Sequence, residues 1–232
     1  QVLWPGKAYP TASLLDEYVN NKPVMLSRVD GHASWVNTKA LEIAGITKDT
    51  LDPPGGKIVR DEQGNPTGVL IDNAESLMLK HLPKTSEATL TAQLNAAGEH
   101  LLSEGITSVH DAGIGKVVYN YYKKRVAEDS LPVRIYPMIA ATSADLRQLL
   151  ETGHVQDQYD WLSIRSVKAY GDGALGSRGA ALLQPYSDAQ DNTGLLVTRE
   201  QDLKPLFDLV LGKGFQLNFH AIGDRANRLA LD

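Results

Sequence analysis

Two residues that could do chemistry stand inside or directly after apolar segments. Lys168 lies between Val167 and Ala169, where a bare ammonium group is costly to bury without a partner. A lysine held near neutrality can act as a base, form a Schiff base or be carboxylated to a metal-binding carbamate. His220 follows the apolar run 215–219, and a neutral imidazole at a strand end is a common metal ligand. Both residues are therefore candidates for a metal site.

Each of these residues also has a structural interpretation. Lys168 could extend its charged end to the rim of a sheet, or it could pair with Asp172, four residues later. His220 could be a core histidine with satisfied hydrogen bonds. The spacing alone leaves both interpretations open for each residue.

Further polar residues suggest a ligand pocket. His110 and Asp111 follow a segment rich in β-branched residues, so they are expected just beyond a strand. His32 lies in the polar and aromatic segment 30–37, where a pocket role and a structural hydrogen bond are both open. Asn37, at the end of that segment, is expected to cap the helix that begins there.

Composition and missing motifs exclude several classes of protein. The 232 residues include no cysteine, which excludes disulfides, thiolate metal sites and cysteine nucleophiles. A formal charge of −5 without a basic stripe argues against nucleic-acid binding. No apolar run approaches the roughly 18 residues that a membrane span needs. The sequence also lacks a G-x-S-x-G elbow, an H-E-x-x-H motif and a phosphate-binding loop.

The elements that must position these residues alternate between strands and helices from residue 105 onwards. The predicted strands are 106–109, 132–139, 161–170 and 215–220; helices are predicted over 116–128, from Thr142, over 199–213 and from Asp224. Units of about 30 residues predict βαβ crossovers, a parallel sheet and the α/β class. The long loop 171–198 follows the third of these strands, at the end where parallel α/β folds place their ligands. Pro205 fits the helix 199–213 only near its first turn.

Residues 1–104 do not follow this alternation. The patterns predict a helix over 13–19, a strand over 24–27, a helix over 37–44 that stops at Gly45, and a hairpin with strands 57–60 and 67–71. We therefore expect an α+β insertion over residues 1–104, followed by four βα units over residues 105–232.

Three segments together resemble the amidohydrolase superfamily, in the branch of N-substituted formamide deformylase-like, predicted metal-dependent hydrolases. They are DGHASWVN at 30–37, SVKAYGDGALGSR at 166–178 and HAIGDRAN at 220–227. The resemblance implies a (β/α)8 TIM barrel, of which this chain would cover about strands two to five. It implies hydrolysis of amide-type C–N bonds by metal-activated water, with one or two divalent ions that are expected to be zinc.

The resemblance also implies roles for individual residues. Lys168 on strand four would be a metal ligand as a carbamate, and His220 on strand five would be a terminal ligand. The small-molecule substrate would contact four pocket residues: His32, His110, Asp172 and Arg178. No catalytic base of the family pattern is expected within this sequence.

The sequence departs from the family pattern in ways that shape the expectations. It has no H-x-H pair, and it lacks the histidine after strand six and the aspartate after strand eight. Two ligands do not make a closed metal site. We therefore expect an internal part of a longer enzyme that is inactive alone and self-associates through its open strand edges. The alternatives are a non-catalytic binding or regulatory module on a barrel scaffold and a Schiff-base enzyme that uses Lys168.

Overall fold

The computed structural model describes residues 8–232 and has a mixed α/β architecture, which confirms the predicted class. The chain forms two compact units. The first comprises the residues up to Pro83 together with 170–200 and 221–232, and the second comprises 84–169 and 201–220. The boundary expected between residues 104 and 105 stays a prediction. No helix within residues 8–232 has the length and apolar character needed to cross a membrane.

The first unit contains a four-stranded antiparallel sheet in the order β1-β2-β4-β3. Its strands are β1 (Met25–Ser27), β2 (Ala33–Val36), β3 (Gly56–Arg60) and β4 (Pro66–Asp72). Its helices are α1 (Ala12–Asp16), α2 (Thr38–Ala44), α3 (Ser76–Leu79) and, from the end of the chain, α8 (Asp224–Leu231). A 3₁₀ turn over Asn73–Glu75 follows β4 directly.

Local signals in the sequence explain these elements. Asn37 accepts a hydrogen bond from the Ala40 N–H at 3.0 Å, which confirms the predicted cap of α2, and Gly45 ends that helix at a φ of 65°. The predicted hairpin is also confirmed, since Asp61 Oδ1 accepts the N–H groups of Gln63 and Asn65 in its loop. Helix α1 begins at Ala12 and ends at Asp16, three residues before the end predicted from the sequence.

The second unit is built on a parallel sheet in the order β10-β9-β6-β5. These strands are β5 (Ser108–Ile114), β6 (Arg134–Ala140), β9 (Ser166–Tyr170) and β10 (Gln216–His220), and a two-stranded antiparallel pair is formed by β7 (Val155–Gln156) and β8 (Ser163–Ile164). The helices between them are α4 (Glu87–Ser103), α5 (Lys116–Ala127), α6 (Leu146–Glu151) and α7 (Glu200–Gly212). The pairs β5–β6 and β6–β9 are parallel, as the alternation predicted.

One face of the parallel sheet packs into the largest hydrophobic core of the described chain. Alternate strand residues such as Ile135, Ile139 and Val167 are buried there, together with Leu149 of α6 and Val210 of α7. Side chains of a strand alternate between its two faces. The intervening residues of these strands therefore lie on the opposite face, which we call the polar face.

Two sequence predictions need correction. The strand expected over 161–170 is interrupted at the exposed Arg165, because β8 pairs with β7 whereas β9 pairs with β6. Pro205 lies inside α7, beyond the first turn. Because proline has no N–H group, the Gln201 carbonyl has no helical donor at this position. Both residues are exposed. The assignment of the four βα units to strands two to five of a barrel stays a prediction.

Candidate active site

Lys168 and His220 lie on neighbouring strands, near the carboxyl end of each. Lys168 is the third residue of β9, and His220 is the last residue of β10. Val167 and Ala169 are fully buried, so that Lys168 is directed to the polar face. His220 is on the same face, because its neighbour Phe219 contacts Phe207 of the covering helix α7 edge-on, with ring centroids 5.3 Å apart.

The surroundings of Lys168 disfavour its charge. The side chain is half-buried, and burial lowers the pKa of the ammonium group below its usual value. A lowered pKa increases the fraction of neutral amine, which is the form that reacts with carbonyl compounds or carbon dioxide. This is the property that the sequence-based hypothesis for Lys168 requires.

Two polar residues next to these candidates were missed by the sequence analysis. Ser166 precedes Lys168 by two residues on β9, and Asn218 precedes His220 by two residues on β10, so strand alternation places both on the polar face. The Ser166 hydroxyl and the Asn218 Nδ2 are buried without a hydrogen-bond partner in the described structure. Buried polar atoms of this kind usually have a partner, so these two are suited to contact a bound group. The period of two from Lys168 and His220 was the signal that could have found them.

His110 lies far from the carboxyl end of the sheet. It is the third residue of β5, not a residue beyond the strand as expected, because β5 continues to Ile114. In the register, His110 is opposite Tyr136 of β6, whereas Lys168 is opposite Ala140. Four residues separate these levels, a distance of roughly 13 Å along the strands. The structure therefore does not bring His110 to Lys168, and its substrate contact stays a prediction.

His32 forms a buried pair with Asp72 in the first unit. His32 Nδ1 lies 2.7 Å from Asp72 Oδ1, and the side chains are 9% and 2% exposed. The hydrogen bond to Asp72 raises the pKa of His32 against the opposing effect of burial. The His32 ring also meets the Tyr170 ring edge-on, with centroids 5.9 Å apart. The pair accounts for the structural hydrogen bond, and the substrate contact of His32 stays a prediction.

Further carboxylates surround this pair. Glu75 accepts a short hydrogen bond from the Ser34 hydroxyl, and burial raises the pKa of its carboxyl group. Asp30 contributes a third carboxylate, which forms an ion pair with Arg28 at 2.9 Å. The segment 30–37 thus contributes to a polar cluster that extends from the buried His32 to the exposed Asp30.

Asp72 is held in an unusual position, and the sequence analysis missed it. Its φ is 49° and its ψ is −123°, a combination rarely adopted by residues other than glycine. A Cβ atom at Gly173 or Gly179 would overlap the Asp72 carboxylate, so the glycines of the long loop leave the space that Asp72 occupies. The signal in the sequence was an aspartate directly after the apolar run 69–71, the same pattern that identified His220.

Asp172 is fully buried, and its carboxylate accepts three backbone N–H groups from Ala181, Ile222 and Gly223, at 2.7–2.9 Å. Arg178 has a φ of 55° and forms a two-pronged ion pair with Asp188, at 3.0 and 3.3 Å. Both residues are thus engaged with groups of the protein itself, and their predicted substrate contacts stay predictions.

The long loop is closed at its base. The Thr198 hydroxyl donates to the Tyr170 carbonyl at 2.6 Å, and the Val197 N–H donates to the Gly171 carbonyl at 2.9 Å. An isolated bridge between Asp172 and Leu196 adds a further contact. The loop therefore leaves and rejoins the fold through a narrow neck.

The six candidate residues fall into two sets. Lys168, His220 and His110 belong to the parallel sheet of the second unit, whereas His32, Asp172 and Arg178 belong to the first unit. Within residues 8–232, no three side chains of His, Cys, Asp or Glu come together as a metal site. Lys168 and His220 could provide two ligands of a metal site, and the buried polar atoms of Ser166 and Asn218 lie on the same face. These residues do not complete a metal site.

Comparison with known proteins identifies the family. A sequence model of the amidohydrolase family matches residues 1–232. YtcJ of Bacillus subtilis (strain 168) is 34% identical over 223 residues, which are 94% of this chain and 41% of YtcJ. The N-substituted formamide deformylase of Arthrobacter pascens is 25% identical over 235 residues, which are 96% of this chain and 42% of the deformylase.

A solved structure agrees with these relatives. The crystal structure of an uncharacterized metal-dependent hydrolase from Pyrococcus horikoshii OT3 superposes with a TM-score of 0.69 at 27% identity. The alignment covers 97% of this chain and 44% of that protein, so that the chain spans less than half the length of each of these relatives. Because the family model matches the chain from end to end, as the three motifs indicated, the chain belongs to the amidohydrolase superfamily.

Proposed function

We propose that this chain is part of a metal-dependent hydrolase that cleaves amide-type C–N bonds, and that it contributes Lys168 and His220 as metal ligands. The observation that carries the proposal is the position of these two residues, near the carboxyl ends of neighbouring strands and on the same face. Parallel α/β folds bind their ligands at this end of the sheet. The family and its metal-dependent neighbour support a hydrolase and a divalent ion.

The side chains of this chain prepare the site in different ways. A divalent metal, which we propose to be zinc, would supply an activated water and polarise the substrate carbonyl. The neutral amine of Lys168 would add to carbon dioxide and lose one proton, so that the new carbamate presents oxygen ligands. His220 would donate one imidazole nitrogen. Ser166 and Asn218, whose buried polar atoms lack partners in the described structure, would hydrogen-bond to bound groups beside them.

We also propose that the four pocket residues contact the substrate, and the strength of the structural support differs from residue to residue. His32 has the strongest support, because its buried pair with Asp72 holds the imidazole in one orientation. Arg178 and Asp172 are engaged with Asp188 and with backbone N–H groups, and His110 lies roughly 13 Å before the level of Lys168. The deformylase relative suggests an N-substituted amide as the first substrate class to test.

A second candidate function is a non-catalytic binding or regulatory module. The absence of a three-residue His, Cys, Asp or Glu cluster within residues 8–232 favours it over a complete metal site. Under the hydrolase proposal, the 232-residue chain alone is inactive and depends on ligands that it does not contain.

The test uses the product of the complete reading frame that encodes this chain, beside the 232-residue chain. We expect the former to bind zinc and hydrolyse N-substituted amides, and the latter to be inactive. Lys168→Ala should abolish hydrolysis, and added formate or bicarbonate should restore part of it. Full activity of Lys168→Ala without such additions would refute the carbamate role. Absence of both zinc and hydrolysis in the full product would favour the binding module.

A further inference from the structure

Asp172 has a buried carboxylate whose two oxygens are both used by backbone donors. Oδ2 accepts the N–H of Ala181 at 2.8 Å and that of Gly223 at 2.7 Å, while Oδ1 accepts the N–H of Ile222 at 2.9 Å. The residue has no solvent exposure. A carboxylate is suited to this position because it accepts several hydrogen bonds and donates none.

Two of these three donors lie shortly after a candidate metal ligand in the sequence. Ile222 and Gly223 are the second and third residues beyond His220, the last residue of β10. Asp172 is the second residue beyond the end of β9 and the fourth beyond Lys168. Its side chain therefore joins the two segments that leave neighbouring strands, at the end where Lys168 and His220 lie.

Residues 221–223 belong to no helix or strand. The Asn227 Nδ2 donates to the carbonyls of Ala221 and Gly223 at 2.9 Å, whereas Asp172 is the side chain that accepts from the N–H groups of this turn. The turn lies so close to the long loop that a Cβ atom at Gly223 would overlap the Ala181 carbonyl. One residue further on, Asp224 Oδ1 accepts the Leu183 N–H at 2.9 Å. Asp224 thus holds the start of α8, whereas Asp172 holds the turn itself.

We infer that Asp172 is a positioning residue that fixes the turn after His220, and with it the orientation of the imidazole relative to the end of β9. The relevance of this role to catalysis rests on the proposed function, but the orientation of His220 can be measured without a metal. This role is separate from the substrate contact expected from the sequence, because it involves only backbone donors of the protein itself.

Asp172→Asn tests the inference, with Asp224→Asn as the matched control. Asparagine keeps the size of the side chain but turns an NH₂ group towards a backbone N–H donor. The ring signals of the six histidines are followed by NMR in the metal-free, folded 232-residue chain. We expect the His220 signal to shift or broaden in Asp172→Asn and to stay in place in Asp224→Asn, while the other histidines serve as internal references. A purely stabilising role would lower the melting temperature without moving this signal, and an unmoved His220 signal overturns the inference.

Amide exchange in the unmodified chain provides a test that needs no variant. We expect the Ile222 and Gly223 amides to exchange about tenfold or more slowly than unprotected loop amides, since each donates to a charged acceptor. Exchange of both at unprotected rates overturns the inference. Where Asp172→Asn folds, it should remove this protection.

Zinc added to the product of the complete reading frame separates this inference from the proposed function, because the proposed metal site is complete only there. If Asp172→Asn moves His220 but zinc perturbs neither His220 nor Lys168 in that product, positioning stands and the metal proposal fails. If zinc perturbs His220 in that product and Asp172→Asn leaves the signal in place, the metal proposal stands and positioning is refuted.

Discussion

At the scale of single residues, Lys168 combines an apolar strand position with a lowered pKa. Burial removes water from around the ammonium group and lowers its pKa, so the neutral amine is populated at a lower pH than in an exposed lysine. After reductive methylation with ¹³C-formaldehyde, we expect one lysine signal to titrate below the usual 10.5 and to vanish in Lys168→Arg. If every lysine signal titrates at the usual value, burial does not disfavour the charge and the neutral-amine hypothesis loses its basis.

The pair of His32 and Asp72 predicts a pH-dependent contribution to stability. Because folding raises the pKa of His32 above 6.5, the contribution is complete below that value and is lost as the pH rises through the folded pKa. We therefore expect His32→Gln to lower the free energy of unfolding more at pH 5.5 than at pH 9. Breaking a buried pair costs about 3–5 kcal/mol, which sets the scale at the lower pH.

Urea unfolding of the original chain and of His32→Gln at both pH values measures this difference. His32 itself lowers the pKa of the neighbouring Glu75, so part of the measured difference arises through that carboxyl group. An equal cost of the substitution at both pH values would show that folding does not raise the pKa of His32.

At the scale of elements, the glycines of the long loop make room for a side chain from another segment. A Cβ atom at Gly173 would overlap the Asp72 carboxylate, whereas one at Gly212 meets no atom within 4 Å. We expect Gly173→Ala to lower the free energy of unfolding by about 1–3 kcal/mol, through overpacking. Gly212→Ala, at the end of α7, should change it by less than about 1 kcal/mol. Denaturant midpoints of the two variants measure the effect, and equal midpoints would contradict the packing argument.

The elements that could be predicted from the sequence are those governed by local signals. The cap at Asn37, the stop at Gly45 and the hairpin around Asp61 depend on neighbouring residues, and the structure confirms all three. The break at Arg165 depends on which strand pairs with which, and a linear pattern does not contain that information.

The same distinction applies to the candidate site. Lys168 and His220 could be identified because each stands in an apolar strand with period-two alternation. The partner of His32 could not be identified, because Asp72 lies 40 residues away and reaches His32 only through the antiparallel pairing of β2 and β4. His110 is not at a strand end as predicted, because β5 continues five residues beyond the β-branched segment 106–109.

At the scale of the whole molecule, the parallel sheet has an accessible edge. β5 is the last strand in the sheet order, and its residues Ser108, His110 and Ala112 are exposed. Exposed strand edges can pair with another chain, so we propose that the 232-residue chain self-associates at micromolar concentration. Light scattering after size-exclusion chromatography should give a mass above 25.2 kDa that rises with concentration.

A charge on this edge should oppose the association. Ala112→Lys is expected to reduce the measured mass towards that of a monomer. Val117→Lys adds the same charge at an exposed position of α5 and should leave the measured mass unchanged. A monodisperse monomer at every concentration would show that the β5 edge does not pair.

The neck of the long loop affects how this protein can change during evolution. The bonds from Thr198 to Tyr170 and from Val197 to Gly171 bring the two ends of the segment together independently of its tip. Insertions or deletions near the exposed residues Gln190 and Asp191 would therefore alter the tip while the strand that carries Lys168 keeps its place. Because Asp188 at the tip pairs with Arg178, such changes would alter the surroundings of a proposed substrate-binding residue and leave the proposed metal ligand where it is.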